Sequence, residues 1–122
     1  MQGDKAEGIG WQSLTDSGYL IASVNYRMAA EGIFPVMIDD LKCALRYLRA
    51  NQTKHNLDPD RIAVLGVSAG GHLVALLGTA DDRAGWDLGE YSDQSSRVQA
   101  VVGVMGMYDF TLKVPSGIGT TI

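Results

Sequence analysis

The chain has a single cysteine, Cys43, and only two histidines, His55 and His72, in 122 residues. One cysteine excludes an intrachain disulfide, and no CxxC or HxxxH pair offers the ligand spacing of a zinc site. Cys43 falls inside a helical pattern and reads as a buried, inert thiol. No apolar stretch approaches the roughly 20 residues needed to span a bilayer. Basic clusters are missing as well: ten Lys and Arg against fourteen Asp and Glu leave a net charge of −4. That balance gives no electrostatic footprint for nucleic acid. The opening MQGDKAEGIG lacks the basic-then-apolar form of a secretory signal. A complete chain would therefore be cytoplasmic, whereas a chain that begins further upstream leaves the compartment unknown.

What is present is a globular composition, 46% hydrophobic and 20% charged, which argues against wholesale disorder. A chain of this length is one domain, 1–122, or part of one, and is large enough to bury a core. No repeat, linker or low-complexity tract divides it. Residues 5–18 read as a helix with Ile9, Trp11 and Leu14 on one side and Gly18 closing it. YLIASVNY (19–26) suits a strand covered on both faces. After a loop, Pro35 stands in the first turn of a helix over 35–51. There Val36, Ile38, Leu41, Leu45 and Leu48 recur at three- and four-residue steps. Asp39 and Asp40 come early and Lys42, Arg46 and Arg49 later, the order the helix dipole favours. A polar turn (53–60) precedes a buried strand (61–67) and a helix (69–79). A polar insertion (80–96) leads to a further strand (97–106), and the tail from Thr111 has no period. Helices alternating with strands imply a parallel sheet with helices on its faces, an α/β fold.

Gly66-Val67-Ser68-Ala69-Gly70 stands at the join between strand and helix and fits G-x-S-x-G. So tight a turn holds the serine in a strained backbone conformation, and bulk two residues to either side would clash. The serine oxygen then projects above the carboxyl edge of the sheet. The N–H of Ala69, opening the helix, points to where an oxyanion would form. Chance alone produces G-x-S-x-G in a chain of this length with odds of roughly 4%, and flanking strand and helix reduce that several-fold. Walker-type and dinucleotide-binding glycine patterns are both absent.

At these residues the chain resembles the α/β-hydrolase family, and within it the carboxylesterases related to hormone-sensitive lipase. SVNYRMAAEGIFPVMIDDLKCALRYLRAN (23–51) is similar to the family's N-Y-R-L-A-x-E…F-P…D-D segment, with Met28 in place of Leu. DPDRIAVLGVSAGGHLVALL (58–77) looks like its nucleophile elbow. SSRVQAVVGVMGMYDF (95–110) resembles the next strand in acyl and feruloyl esterases acting on plant polysaccharides. GDK at 3–5 resembles the residues just after the family's His-Gly-Gly-Gly-Trp oxyanion loop, which would lie upstream of Met1. The resemblance implies Ser68 as nucleophile, Ala69 N–H as oxyanion donor, Gly66 and Gly70 as elbow glycines, and neither metal nor organic cofactor.

A serine hydrolase also needs a base and an acid to orient it, in the chain order Ser, Asp or Glu, His. His55 precedes the strand that ends at Ser68, so it belongs to the opposite edge and reads as a surface loop residue. His72, one turn into the helix after the elbow, leans back toward Ser68 and suits a supporting role. Asp109, just past the next strand, is a tentative acid, or else a loop residue or cap. In the family's sheet a further strand lies between the two corresponding to 19–26 and 61–67. Without it those strands flank an empty slot. The chain then reads as an internal piece of a longer hydrolase. If it is complete, it re-pairs its strands or borrows one from a second copy, as a homo-oligomer or swapped dimer.

The leading expectation is a serine carboxylic-ester hydrolase, or its nucleophile-bearing core, acting on a small-molecule ester. A catalytically silent binding or assembly module on the same fold is the alternative outside enzymes. Retention of a strained elbow with nothing to do argues against it. An amide or peptide hydrolase on the same scaffold differs only in substrate.

Overall fold

The computed structural model describes residues 10–28 and 30–111. Helix α1 (Gln12–Asp16) is succeeded by α2 (Val36–Ala50), the short α3 (Gln52–His55), strand β1 (Ala63–Val67), α4 (Ala69–Thr79), a 3-10 turn (Asp82–Ala84) and β2 (Ala100–Val104). Strands β1 and β2 pair in parallel, with Ala63 opposite Ala100 and Val67 opposite Val104. The α/β class expected from the alternation of elements is the class found.

Helix α2 begins one residue after its expected start, with Pro35 as N-cap. At the other end the Asn51 side-chain amide donates to the Tyr47 carbonyl at 2.9 Å, satisfying one of the acceptors a helix leaves open. Ile38 and Leu45 of α2 meet Leu73 and Leu77 of α4, with Val64 of β1 and Ile62 packed alongside. Of the expected α2 stripe, Ile38 and Leu45 are buried, while Val36, Leu41 and Leu48 are half-buried. Each of the four core side chains, Ile38, Leu45, Leu73 and Leu77, contributes about 1.5–3 kcal/mol by leaving water.

Several expectations change. Residues 19–26 form no strand, and Tyr19, Leu20, Ile21 and Val24 stay exposed. Extended backbone becomes a strand only when a neighbour accepts its ladder, and β1 pairs with β2 alone among the described residues. The apolar run of β1 predicts burial throughout. The strand alternates instead: Val64 and Gly66 turn inward while Leu65 and Val67 are exposed. β2 is exposed along its length. The polar turn expected at 53–60 overlaps α3, which starts at Gln52 and is ended by Asn56 in the left-handed region at φ 51°. Cys43 is half-buried and free. Gly18, at φ 86°, ends α1 as expected. Ile9, the first apolar residue of the expected 5–18 helix, and the tail from 112 lie outside the described residues.

The cations of α2 do more than complement a dipole. Lys42, Arg46 and Arg49 are all buried. They hold the 85–97 crossover from inside. Arg46 pairs with Asp87 through Nη1 and donates to the Glu90 carbonyl at 2.9 Å and the Leu88 carbonyl at 2.5 Å. Arg49 donates to the carbonyls of Pro59, Ser95 and Arg97 at 3.1, 2.7 and 2.5 Å. Lys42 reaches Ser96 Oγ at 3.0 Å, and that hydroxyl donates to Asp87 at 2.7 Å. Positions 42, 46 and 49 share the helical step of the apolar stripe, so this second stripe was present in the sequence.

Arg46→Met is expected to destabilise the fold by about 3 kcal/mol in urea denaturation, because two carbonyls and a carboxylate lose a buried donor. Half-exposure of Asp87 keeps the loss toward the lower end. Acid provides a second test. Burial pushes the Asp87 carboxyl up, but the Ser96 hydroxyl, Lys42 and Arg46 together bring it below its ordinary 3.8. Asp40 is also held below 3.8, chiefly by hydrogen bonds from Arg27. A depressed carboxylate contributes stability above the unfolded value and loses it as pH falls through the folded one. Asp39 acts in reverse: burial raises it, so stability grows as pH falls through its raised value toward 3.8. Asp81 is lowered too, by hydrogen bonds from Arg83, so the depressed carboxylates set the expected direction. Stability should fall below about pH 4, and more shallowly in Asp87→Asn, as read from urea midpoints against pH.

Candidate active site

β1 runs straight into Ser68, whose φ of 57° and ψ of −118° lie where only glycine is relaxed. Two hydrogen bonds hold the turn. Ser68 N–H donates to the Val104 carbonyl at 2.9 Å, extending the β1–β2 ladder by one step. His72 N–H donates to the Ser68 carbonyl at 3.2 Å, closing the first turn of α4. The serine therefore sits at the carboxyl edge of the sheet, where open α/β sheets bind their ligands. Ala69 opens α4, and its N–H belongs to the donors that a helix start leaves for an outside acceptor.

The two expected elbow glycines differ. A β-carbon on Gly66 would run into the Gly70 carbonyl group and come within 2.9 Å of Gly71 N. No described atom lies within 4 Å of one on Gly70. The expected clash there is corrected: the position faces open space. Gly71 takes the constrained role instead, since its β-carbon would meet the Val104 oxygen at 2.9 Å and Gly106 Cα at 3.1 Å. A glycine there lets the first turn of α4 close on the end of β2. The doubled glycine of SAGGH was the available signal.

The Ser68 hydroxyl has no hydrogen-bond partner among the described residues. His55 lies in α3, ahead of β1, with its ring 5.9 Å from that of Tyr47. It is half-buried, with Nε2 buried and unpartnered among the described residues, which corrects the expectation of a surface loop residue. His72 is close to the elbow, but its Nδ1 lies 2.8 Å from the Met107 carbonyl oxygen. Phe110 meets the His72 ring edge-on, with centroids 5.1 Å apart. Asp109 is in the same segment. Its Oδ1 accepts from the N–H and hydroxyl of Thr111 at 2.8 and 2.6 Å, an Asx-type turn.

Ser68, Ala69, His72, Met105, Met107 and Phe110 line a cleft of about 250 Å³. A second cleft of similar volume, lined by Tyr26, Met28, Phe34, Met37 and Leu73, shares Ala69 and His72 with it. The first turn of α4 thus separates two recesses. Sequence reasoning missed Met105, Met107 and Phe110 as wall residues. Their position just beyond a strand's carboxyl end was the signal. Among the described residues no helix is long and apolar enough to cross a membrane.

The BD-FAE family model matches residues 1–117. Esterase LipC of Mycobacterium tuberculosis is 46% identical over 99 residues, which cover 80% of this chain and 24% of the relative. The probable carboxylic ester hydrolase LipM of the same organism is 37% identical over 98 residues, covering 80% of this chain and 22% of its own length. Among solved structures, a bifunctional GH43-CE protein of Bacteroides eggerthii superposes with a TM-score of 0.74 at 38% identity. That match covers 82% of this chain and 14% of the other. The chain spans less than a quarter of each of these three proteins.

Proposed function

The chain belongs to the BD-FAE family, and from that premise we propose that it carries the nucleophile of a serine carboxylic-ester hydrolase. One observation carries the reading: Ser68 is held at φ 57° between the end of β1 and the start of α4. In the reaction Ser68 Oγ bonds to the ester carbonyl carbon as its proton passes to a base. The Ala69 N–H steadies the tetrahedral oxyanion, and the carbon–oxygen bond to the alcohol breaks with a proton delivered to the leaving oxygen. Water then releases the acid and restores the serine. Neither imidazole is hydrogen-bonded to the Ser68 hydroxyl: His55 packs beside Tyr47 in α3, ahead of β1, and His72 is turned to the Met107 carbonyl. The base therefore comes from outside the described residues. Residues 1–122 act as a partial α/β-hydrolase domain, with Asp109 as the tentative acid. Relatives named as a carboxylic ester hydrolase and an esterase support a small ester substrate.

A fluorophosphonate probe tests the nucleophile directly. The protein expressed from its gene should be labelled once, on the peptide containing Ser68, as mapped by mass spectrometry. Absence of label, or label on another residue, overturns the reading. A labelled protein that cleaves anilides but not aryl esters would be an amide hydrolase on the same elbow.

A further inference from the structure

We propose that His72 is a positioning residue: its Nδ1–H holds Met107, and with it the segment 105–110, as the wall of the cleft beside Ser68. The inference rests on the reading of Ser68 as nucleophile, and it concerns what the substrate meets next.

A carbonyl oxygen only accepts, so the 2.8 Å contact to Met107 requires a proton on His72 Nδ1. In the neutral ring Nε2 is then an acceptor. The contact fixes a tautomer that the sequence leaves open. Several fastenings hold this segment. The Val104 carbonyl accepts from Ser68 N–H at 2.9 Å at the segment's base, where a β-carbon on Gly71 would meet the backbone of Val104 and Gly106 at about 3 Å, so glycine lets the segment lie close. In the middle stands the bond from His72 to Met107, and at the far end Phe110 packs edge-on against the imidazole. Only the middle and far fastenings depend on a side chain of α4, and both depend on His72.

The segment needs holding. Met105 sits at φ 52°, in the left-handed region that a bulky residue rarely adopts. Met105, Met107 and Phe110 are largely exposed, so neighbouring side chains do not fix the wall. Their thioethers and ring are apolar, polarisable and uncharged, and suit an apolar or aromatic portion of the ester. Loss of the His72 donor would leave Ser68 anchored to Val104 but free the surface against which the substrate rests. The effect should fall on KM more than on kcat.

The experiment uses the protein expressed from its gene, with His72→Ala, His72→Asn and His72→Phe, and a series of aryl esters. Alanine should raise KM about five- to tenfold, with kcat lowered less than about threefold. Asparagine, which keeps an N–H donor, should recover most of the loss, whereas phenylalanine, which keeps a ring without a donor, should not. Imidazole 15N spectra of the wild type should place the ring proton on Nδ1. A proton on Nε2, or a loss confined to kcat and equal in alanine and asparagine, overturns the proposal. If the fluorophosphonate fails to label Ser68, the esterase reading falls. The 15N spectrum still decides whether His72 holds Met107.

Discussion

Alanine at position 68 is expected to lower ester turnover by about 10⁴- to 10⁶-fold, the range lost when an activated serine is deleted from a working hydrolase. Fold and binding should survive. Alanine keeps the β-carbon, so the backbone at φ 57° is no more and no less strained than with serine. The hydroxyl has no hydrogen-bond partner among the described residues, so none of those is left unsatisfied. The urea midpoint should therefore stay within about 0.5 kcal/mol of the wild type while the initial rate falls to background. Both quantities are needed, because activated esters hydrolyse slowly on many protein surfaces. Turnover that persists in Ser68→Ala would place the nucleophile elsewhere.

Gly66→Ala should do the opposite, removing the folded site and not just its chemistry. The added carbon meets the Gly70 carbonyl group and Gly71 N, and these are backbone atoms of a helix start that cannot rotate away. Nor can the helix retreat freely, since at Gly71 it lies so close to the end of β2 that even a β-carbon there would meet Val104 and Gly106 at about 3 Å. Overpacking against backbone on both sides should cost about 3 kcal/mol or more and displace Ser68 from its ladder bond to Val104. Gly70→Ala is the matched control. It adds the same methyl into space with no described atom within 4 Å. Alanine also favours a helix over glycine by about 1 kcal/mol, so it should be neutral or stabilising. Urea denaturation of the two variants side by side separates a tight turn from glycine content. Equal losses would show that the contacts around Gly66 are not what demands glycine.

Much of this was legible in the sequence for a physical reason. Periodicity reports burial, and α2 buries one side, so Ile38 and Leu45 declared themselves, whereas Leu73 and Leu77 of the more uniformly apolar α4 did not. The elbow was legible because strand, G-x-S-x-G and helix are adjacent in the chain. What escaped depends on partners distant in sequence. An apolar run such as 19–26 announces a wish for burial but not who supplies the neighbouring strand. Lys42, Arg46 and Arg49 looked like helix-end charges because their acceptors are mostly carbonyls some 40 residues away, and a carbonyl carries no residue identity. Met107 was illegible for the same reason, since His72 meets its backbone and not its side chain.

The geometry at Ser68 also has a bearing on how this gene can change. Two of the six serine codons, AGU and AGC, become glycine codons by a single base substitution. At φ 57° and ψ −118° that mutation relieves backbone strain of about 1–3 kcal/mol, so the mutant protein would fold better than its parent. Among random changes, most of which weaken a fold, it is a rare one that drift toward stability would welcome. Ser68 therefore stands on a slope that leads downhill to glycine, and only selection for the hydroxyl would hold it there.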